Sequence, residues 1–178
     1  GSIVRFRGNI GTAFMYGLES FANWSIKEIF FSGSDKMKLN YFVNLALTDS
    51  EYLSSEETNV EGNKVEFIPA VNLKTGLNFG YGNLLGSLQY TYLSSQFTDA
   101  TNALQDINDN QRGIEGEIPA YDIVDFSLAY TYKNWKLEAG INNVLNNSYF
   151  TRRATGYPGP GIIPSEPRTF YTTLQFKL

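Results

Sequence analysis

The chain has 178 residues with 14 basic and 18 acidic side chains, and its net charge of −4 argues against a nucleic-acid partner. It contains no cysteine and no histidine, which excludes disulfides, thiol nucleophiles, Cys/His zinc sites and a histidine general base. Only 18% of the residues are charged and 15% are aromatic. Soluble domains have roughly 25% charged residues, so we expect a less polar surface than that of a soluble domain.

Apolar and polar side chains alternate along most of the chain with the period of a pleated strand. Within residues 71–81, for example, Leu73 and Leu77 fall on one face and Lys74 and Asn78 on the other. The pattern predicts an all-β fold of about seven strands over residues 10–24, 37–48, 71–81, 84–94, 122–132, 135–142 and 170–178. Because no run of about 18 apolar residues is present, any membrane crossing must use strands.

Short and long connections alternate between the predicted strands. Tight turns are expected at residues 80–83 and 132–135, and long polar loops at residues 53–64, 98–119 and 148–167. In an antiparallel up-and-down meander, this alternation places all the long loops at one end of the sheet. The segment 27–36 should be a short turn, but it is long and contains Phe30 and Phe31; the pattern gives no account of it.

The alternation itself does not say whether the apolar face meets lipid or a soluble core. Strand lengths of about nine to eleven residues suit tilted membrane strands. Aromatic residues cluster at the short-turn ends, as in the girdle of a membrane barrel, at Tyr81, Tyr130, Tyr132 and Trp135. These features favour a transmembrane barrel, and a soluble all-β ligand-binding or adhesive domain is the alternative.

The C-terminal part of the chain resembles a known family. The resemblance is carried by Asn142-Asn143-Val144-Leu145, by Arg152-Arg153-Ala154-Thr155-Gly156-Tyr157-Pro158-Gly159-Pro160-Gly161 and by Arg168-Thr169-Phe170-Tyr171. This region closely resembles the last hairpin of TonB-dependent outer-membrane receptors, in particular the iron(III) dicitrate receptor branch. Segments 16–19, 96–100 and 118–125 agree with the same family in the same order.

The resemblance implies that residues 1–178 are the C-terminal portion of a 22-stranded transmembrane β-barrel. The plug domain that fills the lumen and contacts TonB is expected to be absent here, and Gly1-Ser2 is interpreted as a cloning scar. The family uses energy delivered by TonB to move a ferric chelate, here expected to be ferric citrate, across the bacterial outer membrane. One departure is the C-terminal residue, which is Leu178 rather than an aromatic residue.

Candidate ligand contacts are few. Arg152 and Arg153 could offer bidentate donors to a citrate carboxylate; alternatively they pair with acidic loop residues such as Glu166 or remain solvated. Because neighbours on an extended segment point to opposite sides, only one arginine is expected to face the ligand unless the loop turns there. Residues 106–110 could supply oxygen ligands to Ca²⁺, but they lack the glycine and distal glutamate of an EF-hand loop, so no metal site is expected.

An outer-membrane enzyme is a further alternative. Without histidine, its general base would have to be Asp, Glu or Lys, and no serine lies in a recognisable nucleophile motif. We therefore expect neither enzymatic activity nor a cofactor.

Overall fold

The computed structural model describes residues 11–104, 113, 116–154 and 161–178. The described elements, in chain order, are β1 (Gly11–Ser25), α1 (Lys27–Phe30), β2 (Met37–Ser55), β3 (Val71–Tyr81), β4 (Leu84–Leu93), β5 (Tyr121–Tyr132), β6 (Trp135–Asn142), β7 (Phe150–Ala154), β8 (Gly161–Pro164) and β9 (Thr169–Phe176). Among these residues, no helix has the length and apolar character needed to cross a membrane.

Seven strands form one sheet in the order β1-β2-β3-β4-β5-β6-β9, and each strand is antiparallel to the next. The prediction of an all-β, seven-stranded meander is therefore confirmed. β1 and β9 form the two edges, so the sheet does not close on itself. β7 and β8 pair in a separate hairpin inside the last loop, where the sequence pattern predicts only a connection.

The register places apolar side chains on one face of the whole sheet. One row of Cα partners runs through Trp24, Tyr41, Leu77, Leu88, Phe126, Ile141 and Phe170. The adjacent row, on the opposite face, runs through Asn40, Asn78, Ser87, Ser127 and Gly140. The sheet thus has an apolar face and a polar face, because Cα partners in antiparallel strands share a face.

Two of the aromatic side chains on the polar face each lie against a glycine. A Cβ added at Gly76 would come within 3.0 Å of the Phe42 ring, and a Cβ added at Gly140 would lie 2.5 Å from the Tyr171 ring. The glycines therefore leave the space that these rings occupy. This packing explains how Phe42 is accommodated among polar residues.

The buried hydrophobic side chains lie in the long-loop layer and at the strand end next to it rather than in the middle of the sheet. Among the described residues, the buried hydrophobic side chains are Tyr52, Val60, Ile118 and Ala154. β2 extends to Ser55, so the loop expected from residue 53 begins at residue 56. Both faces of the sheet remain accessible, as in a wall with lipid on one side and a lumen on the other.

Candidate functional site

Three long connections leave the same end of the sheet, because each follows an even-numbered strand of the meander. We call residues 56–70 the first loop, 94–120 the second loop and 143–168 the last loop. Hydrogen bonds between them, described below, join all three into one layer. The expectation that the long loops lie together is therefore confirmed, and this layer is the candidate ligand-binding surface.

The first and second loops are joined by reciprocal hydrogen bonds. The Lys64 amide donates to Asn102 Oδ1 over 2.7 Å, and Asn102 Nδ2 donates back to the Lys64 carbonyl over 2.8 Å. The Phe67 amide also donates to the Phe97 carbonyl over 2.9 Å. These contacts hold the two loops in one arrangement.

Arg153 joins the second and last loops. Its Nη1 donates to the Gly113 carbonyl over 2.9 Å and its Nη2 to the Glu117 carbonyl over 2.8 Å. The guanidinium also lies 5.2 Å from the centre of the Phe150 ring, and the residue is only 7% exposed. Arg153 is therefore part of the core of the loop layer and is not solvated.

Arg152 has the opposite environment. It lies in β7 opposite Ile163 of β8 and is exposed, whereas its neighbour Arg153 is buried. Adjacent residues of a strand face opposite sides, so the structure separates the two arginines: one faces the loop core and the other the surface.

The Asn-Asn-Val-Leu element determines how the last loop leaves the sheet. Asn143 has a left-handed backbone (φ 51°), and its amide donates to Asp125 Oδ1 over 2.9 Å. Its side chain bonds the Asn147 carbonyl and amide over 2.9 and 3.0 Å, and Asn147 Nδ2 reaches the Asp122 carbonyl over 3.0 Å. Short amide side chains suit this turn because they tolerate positive φ and bond nearby backbone groups.

Beyond Leu47, β2 continues past the apolar band and carries Asp49 on the same face. The Asp49 carboxylate accepts hydrogen bonds from Lys64 Nζ over 2.6 Å and from the Tyr16 hydroxyl over 2.9 Å. These bonds, that of Lys64 first, hold the pKa of Asp49 below its usual range. Lys64 is thereby engaged with a carboxylate and is a poor candidate for an anionic ligand.

Buried Tyr52 connects the end of β2 to the first loop by donating its hydroxyl hydrogen to Glu66 Oε2 over 2.8 Å. Burial first, and then this hydrogen bond, raises the pKa of Tyr52 to about 12. The sequence pattern gave no indication of this contact, because Tyr52 and Glu66 lie outside both the predicted strand 37–48 and the predicted loop 53–64.

Carboxylates outnumber basic side chains in the described part of the loop layer and its strand ends. The basic residues there are Lys64, Arg152, Arg153 and Arg168. Two of them are engaged as described above, and within the described residues no ion pair is found for Arg152 or Arg168, which are both exposed. Arg168, which the sequence analysis did not select, is thus the second exposed cation of the last loop.

Metal binding has no support in the described residues, where no group of three or more acidic side chains could hold an ion. The Ca²⁺ alternative at residues 106–110 falls outside the described residues.

An open antiparallel wall with an exposed apolar band, capped at one end by interlocked loops, defines a segment of a transmembrane β-barrel. The sequence model of the family described as "TonB dependent receptor-like, beta-barrel" matches residues 3–144. The chain therefore belongs to the TonB-dependent receptor β-barrel family and is a protein of the bacterial outer membrane. This result decides against the soluble alternative.

Solved structures agree with this assignment. The chain is similar to the ferric citrate transporter FecA, with a TM-score of 0.79 and 24% identity over 92% of this chain and 24% of that one. It is also similar to the ferric yersiniabactin uptake receptor FyuA from Yersinia pestis, with a TM-score of 0.70 and 20% identity over 94% of this chain and 24% of that one. The copper transporter OprC gives a TM-score of 0.62 and 18% identity, with 92% and 23% covered.

The chain spans about a quarter of the length of these proteins. They are transporters and receptors rather than enzymes, in agreement with the sequence analysis. No curated protein matches the chain by sequence.

Proposed function

We propose that the chain is the C-terminal portion of the barrel of a receptor that imports a ferric chelate, with ferric citrate as the ligand. In this proposal, residues outside the chain supply the remaining strands and the plug, and TonB delivers the energy for transport. The resemblance of the last loop to the iron(III) dicitrate branch and the similarity to the ferric citrate transporter FecA support the choice of ligand.

The observation that carries the proposal is that Arg153 is buried and bonds another loop, whereas its neighbour Arg152 is exposed. Arg153 ties the last loop to the second loop, which fixes β7 and keeps Arg152 exposed on its other side. An exposed guanidinium on an anchored strand is available to a carboxylate, and the backbone that carries it needs little further ordering when the ligand binds.

Local charge supports the same assignment. The loop layer is rich in carboxylates, which repel an anionic chelate, so binding requires exposed cations close to the ligand. Arg152 and Arg168 fit that role in the last loop. Each charge-assisted hydrogen bond to a ligand carboxylate contributes about 1.5 to 3 kcal/mol, and about 1.4 kcal/mol corresponds to a tenfold change in affinity.

The test uses the full-length receptor with Arg152→Ala, Arg168→Ala and the double variant. Lys133→Ala is the charge-matched control, because Lys133 lies in the tight turn at the opposite end of the sheet. Ferric citrate affinity and uptake of radioactive iron are measured at equal surface abundance. We expect each single variant to bind about tenfold more weakly and Lys133→Ala to match the unmodified receptor.

Two results would refute parts of the proposal. Unchanged affinity in the Arg152→Ala/Arg168→Ala variant would show that the ligand contacts lie elsewhere in the receptor. Preferential binding of a ferric catecholate, ferric yersiniabactin or copper in the same assay would keep the transporter class but reject ferric citrate.

A further inference from the structure

The connection between β1 and β2, residues 26–36, exposes three large apolar side chains. Ile29, Phe30 and Phe31 are 76%, 64% and 42% exposed. The four-residue helix α1 within it buries none of its residues. Exposed apolar side chains that are adjacent in sequence and lie at a strand end mark a contact surface rather than scattered surface hydrophobics.

The position of this connection is fixed by the register. β1 ends at Ser25, which lies opposite Asn40. β2 begins at Met37, so its first three residues have no partner in β1. The Ile26 amide then donates to the Leu39 carbonyl over 2.9 Å. The connection therefore begins beside the first residues of β2, where a longer β1 would have continued.

The connection also adjoins the aromatic rim of the apolar face. Trp24, the last apolar-face residue of β1, stacks on Tyr41 with 5.9 Å between ring centres. Towards the other edge of the sheet, Trp135 of β6 and Phe176 of β9 form a second ring pair, with 4.6 Å between ring centres.

The two ring pairs are offset along the strands. The row of Cα partners that contains Trp24 and Tyr41 reaches β5 at Phe126. Trp135 pairs with Tyr132 of β5. The two ring pairs are therefore six residues apart when measured along β5. Tilted barrel strands produce an offset of this kind between rims at one membrane level. Both pairs thus belong to one girdle, and residues 26–36 lie just beyond it, at the level of the lipid headgroups.

The short-turn end is also more basic than the loop layer. Its lysines are Lys27, Lys36, Lys38, Lys133, Lys136 and Lys177, and its described carboxylates are Glu28, Asp35 and Glu138. Lys38 and Lys136 lie on the polar face of the sheet, and Lys27 pairs with Glu28 over 3.1 Å. Lys36 is exposed in the same connection as the apolar side chains, and such a cation suits an anionic lipid surface.

We propose that residues 26–36, the interfacial turn, lie in the inner leaflet of the outer membrane. Ile29, Phe30 and Phe31 sit between acyl chains, and Lys36 faces anionic phospholipid headgroups. The short turns of bacterial barrels lie on the periplasmic side, which assigns the leaflet. The inference is independent of the transported ligand.

The test places a fluorescent label on single cysteines in the full-length receptor, reconstituted in bilayers of phosphatidylethanolamine and phosphatidylglycerol. Any other cysteines of the receptor are first replaced by serine. Phe30→Cys is the test position. Leu174→Cys, on the apolar face of β9, is the lipid-facing control, and Leu104→Cys, exposed in the second loop, is the water-facing control. Phospholipids brominated on the acyl chains and aqueous iodide serve as the two quenchers.

We expect brominated lipid to quench the label at Phe30 nearly as well as at Leu174, and iodide to quench it several-fold less than at Leu104. Iodide quenching equal to that at Leu104 would overturn the proposal, because the turn would then face water. Protection from both quenchers would also overturn it, because protein would cover the turn.

The role of Lys36 is tested by exchanging phosphatidylglycerol for the zwitterionic phosphatidylcholine. Lipid quenching at Phe30 is expected to fall, whereas quenching at Leu174 is expected to stay constant. Equal quenching at Phe30 in both bilayers would overturn the assignment of an anionic headgroup to Lys36.

Discussion

The sheet and the loop layer are stabilised in opposite ways. In the sheet, backbone ladders join seven strands, but both faces stay accessible and Leu174 and Phe170 are 63% and 73% exposed. In the loop layer, Val60 and Ile118 are completely buried, and side chains such as Arg153 bond the backbone of another loop. The sheet therefore depends on lipid for its apolar face, whereas the loop layer has a small core of its own.

This contrast has a thermodynamic consequence. An apolar face left in water costs roughly 25 cal/mol for each Å² exposed, so the bilayer contributes what a protein core contributes elsewhere. The loop layer lies at the end of the strands where the apolar band stops, in water, and has to supply its own burial and hydrogen bonds.

Removal of the amphiphile should produce the largest effect, because it acts on the whole apolar face. We expect the isolated chain, transferred from detergent micelles to detergent-free buffer, to associate or to fold back on itself, since both its apolar face and its edge strands are free. Light scattering measures the state of association, and the same chain in detergent is the control. A detergent-free monomer that keeps Leu174 exposed would contradict this interpretation of the sheet.

A single charge on the apolar face should have the next largest effect. Leu88 lies between Leu77 and Phe126 on the apolar face, and Gln89 follows it on the polar face. Leu88→Arg is expected to lower the free energy of unfolding from bilayers by about 2 to 4 kcal/mol if the site lies near the midplane. Gln89→Arg, the matched control, should cost much less. Equal losses in denaturant titrations of the two full-length variants would show that the faces have been assigned incorrectly.

The strands could be predicted because their period is written locally in the sequence. The exception is the end of β2, where the prediction stops at residue 48 but the strand continues to Ser55. Beyond Leu47 the apolar face carries Asp49 and Glu51, so the alternation disappears although the backbone still pairs with β1. The alternation of apolar and polar residues therefore indicates contact with lipid rather than strand geometry, and it stops where the apolar band of the sheet stops.

The loop contacts could not be predicted because they join residues far apart in sequence. Arg153 bonds Gly113 and Glu117, which are 40 and 36 residues away, and nothing in the local sequence distinguishes it from exposed Arg152. The Asn143 turn was found only as a family resemblance, and its physical role depends on Asp125 of a neighbouring strand. The β7–β8 hairpin and α1 are similarly short elements without a clear period.

The smallest predicted effect concerns Tyr52 and is confined to the loop layer. Its pKa is raised from 10.0 to about 12, so the folded layer favours the protonated phenol. The stability that this group contributes is fully present below pH 10 and is lost as the pH rises from 10 towards 12. Replacing Tyr52 by Phe removes the hydrogen bond to Glu66, worth about 1.5 to 3 kcal/mol, together with this pH dependence.

Limited proteolysis of the first loop in the full-length receptor measures the effect at a series of alkaline pH values. We expect the unmodified protein to lose protection above pH 10 and the Tyr52→Phe variant to be cleaved faster at neutral pH, with a flatter pH profile. Tyr130→Phe, on the apolar face of β5, is the control and should leave both profiles unchanged. If the Tyr52→Phe variant had the same steep pH profile as the unmodified receptor, the prediction would be wrong. A group other than Tyr52 would then control the opening of the loop layer at alkaline pH.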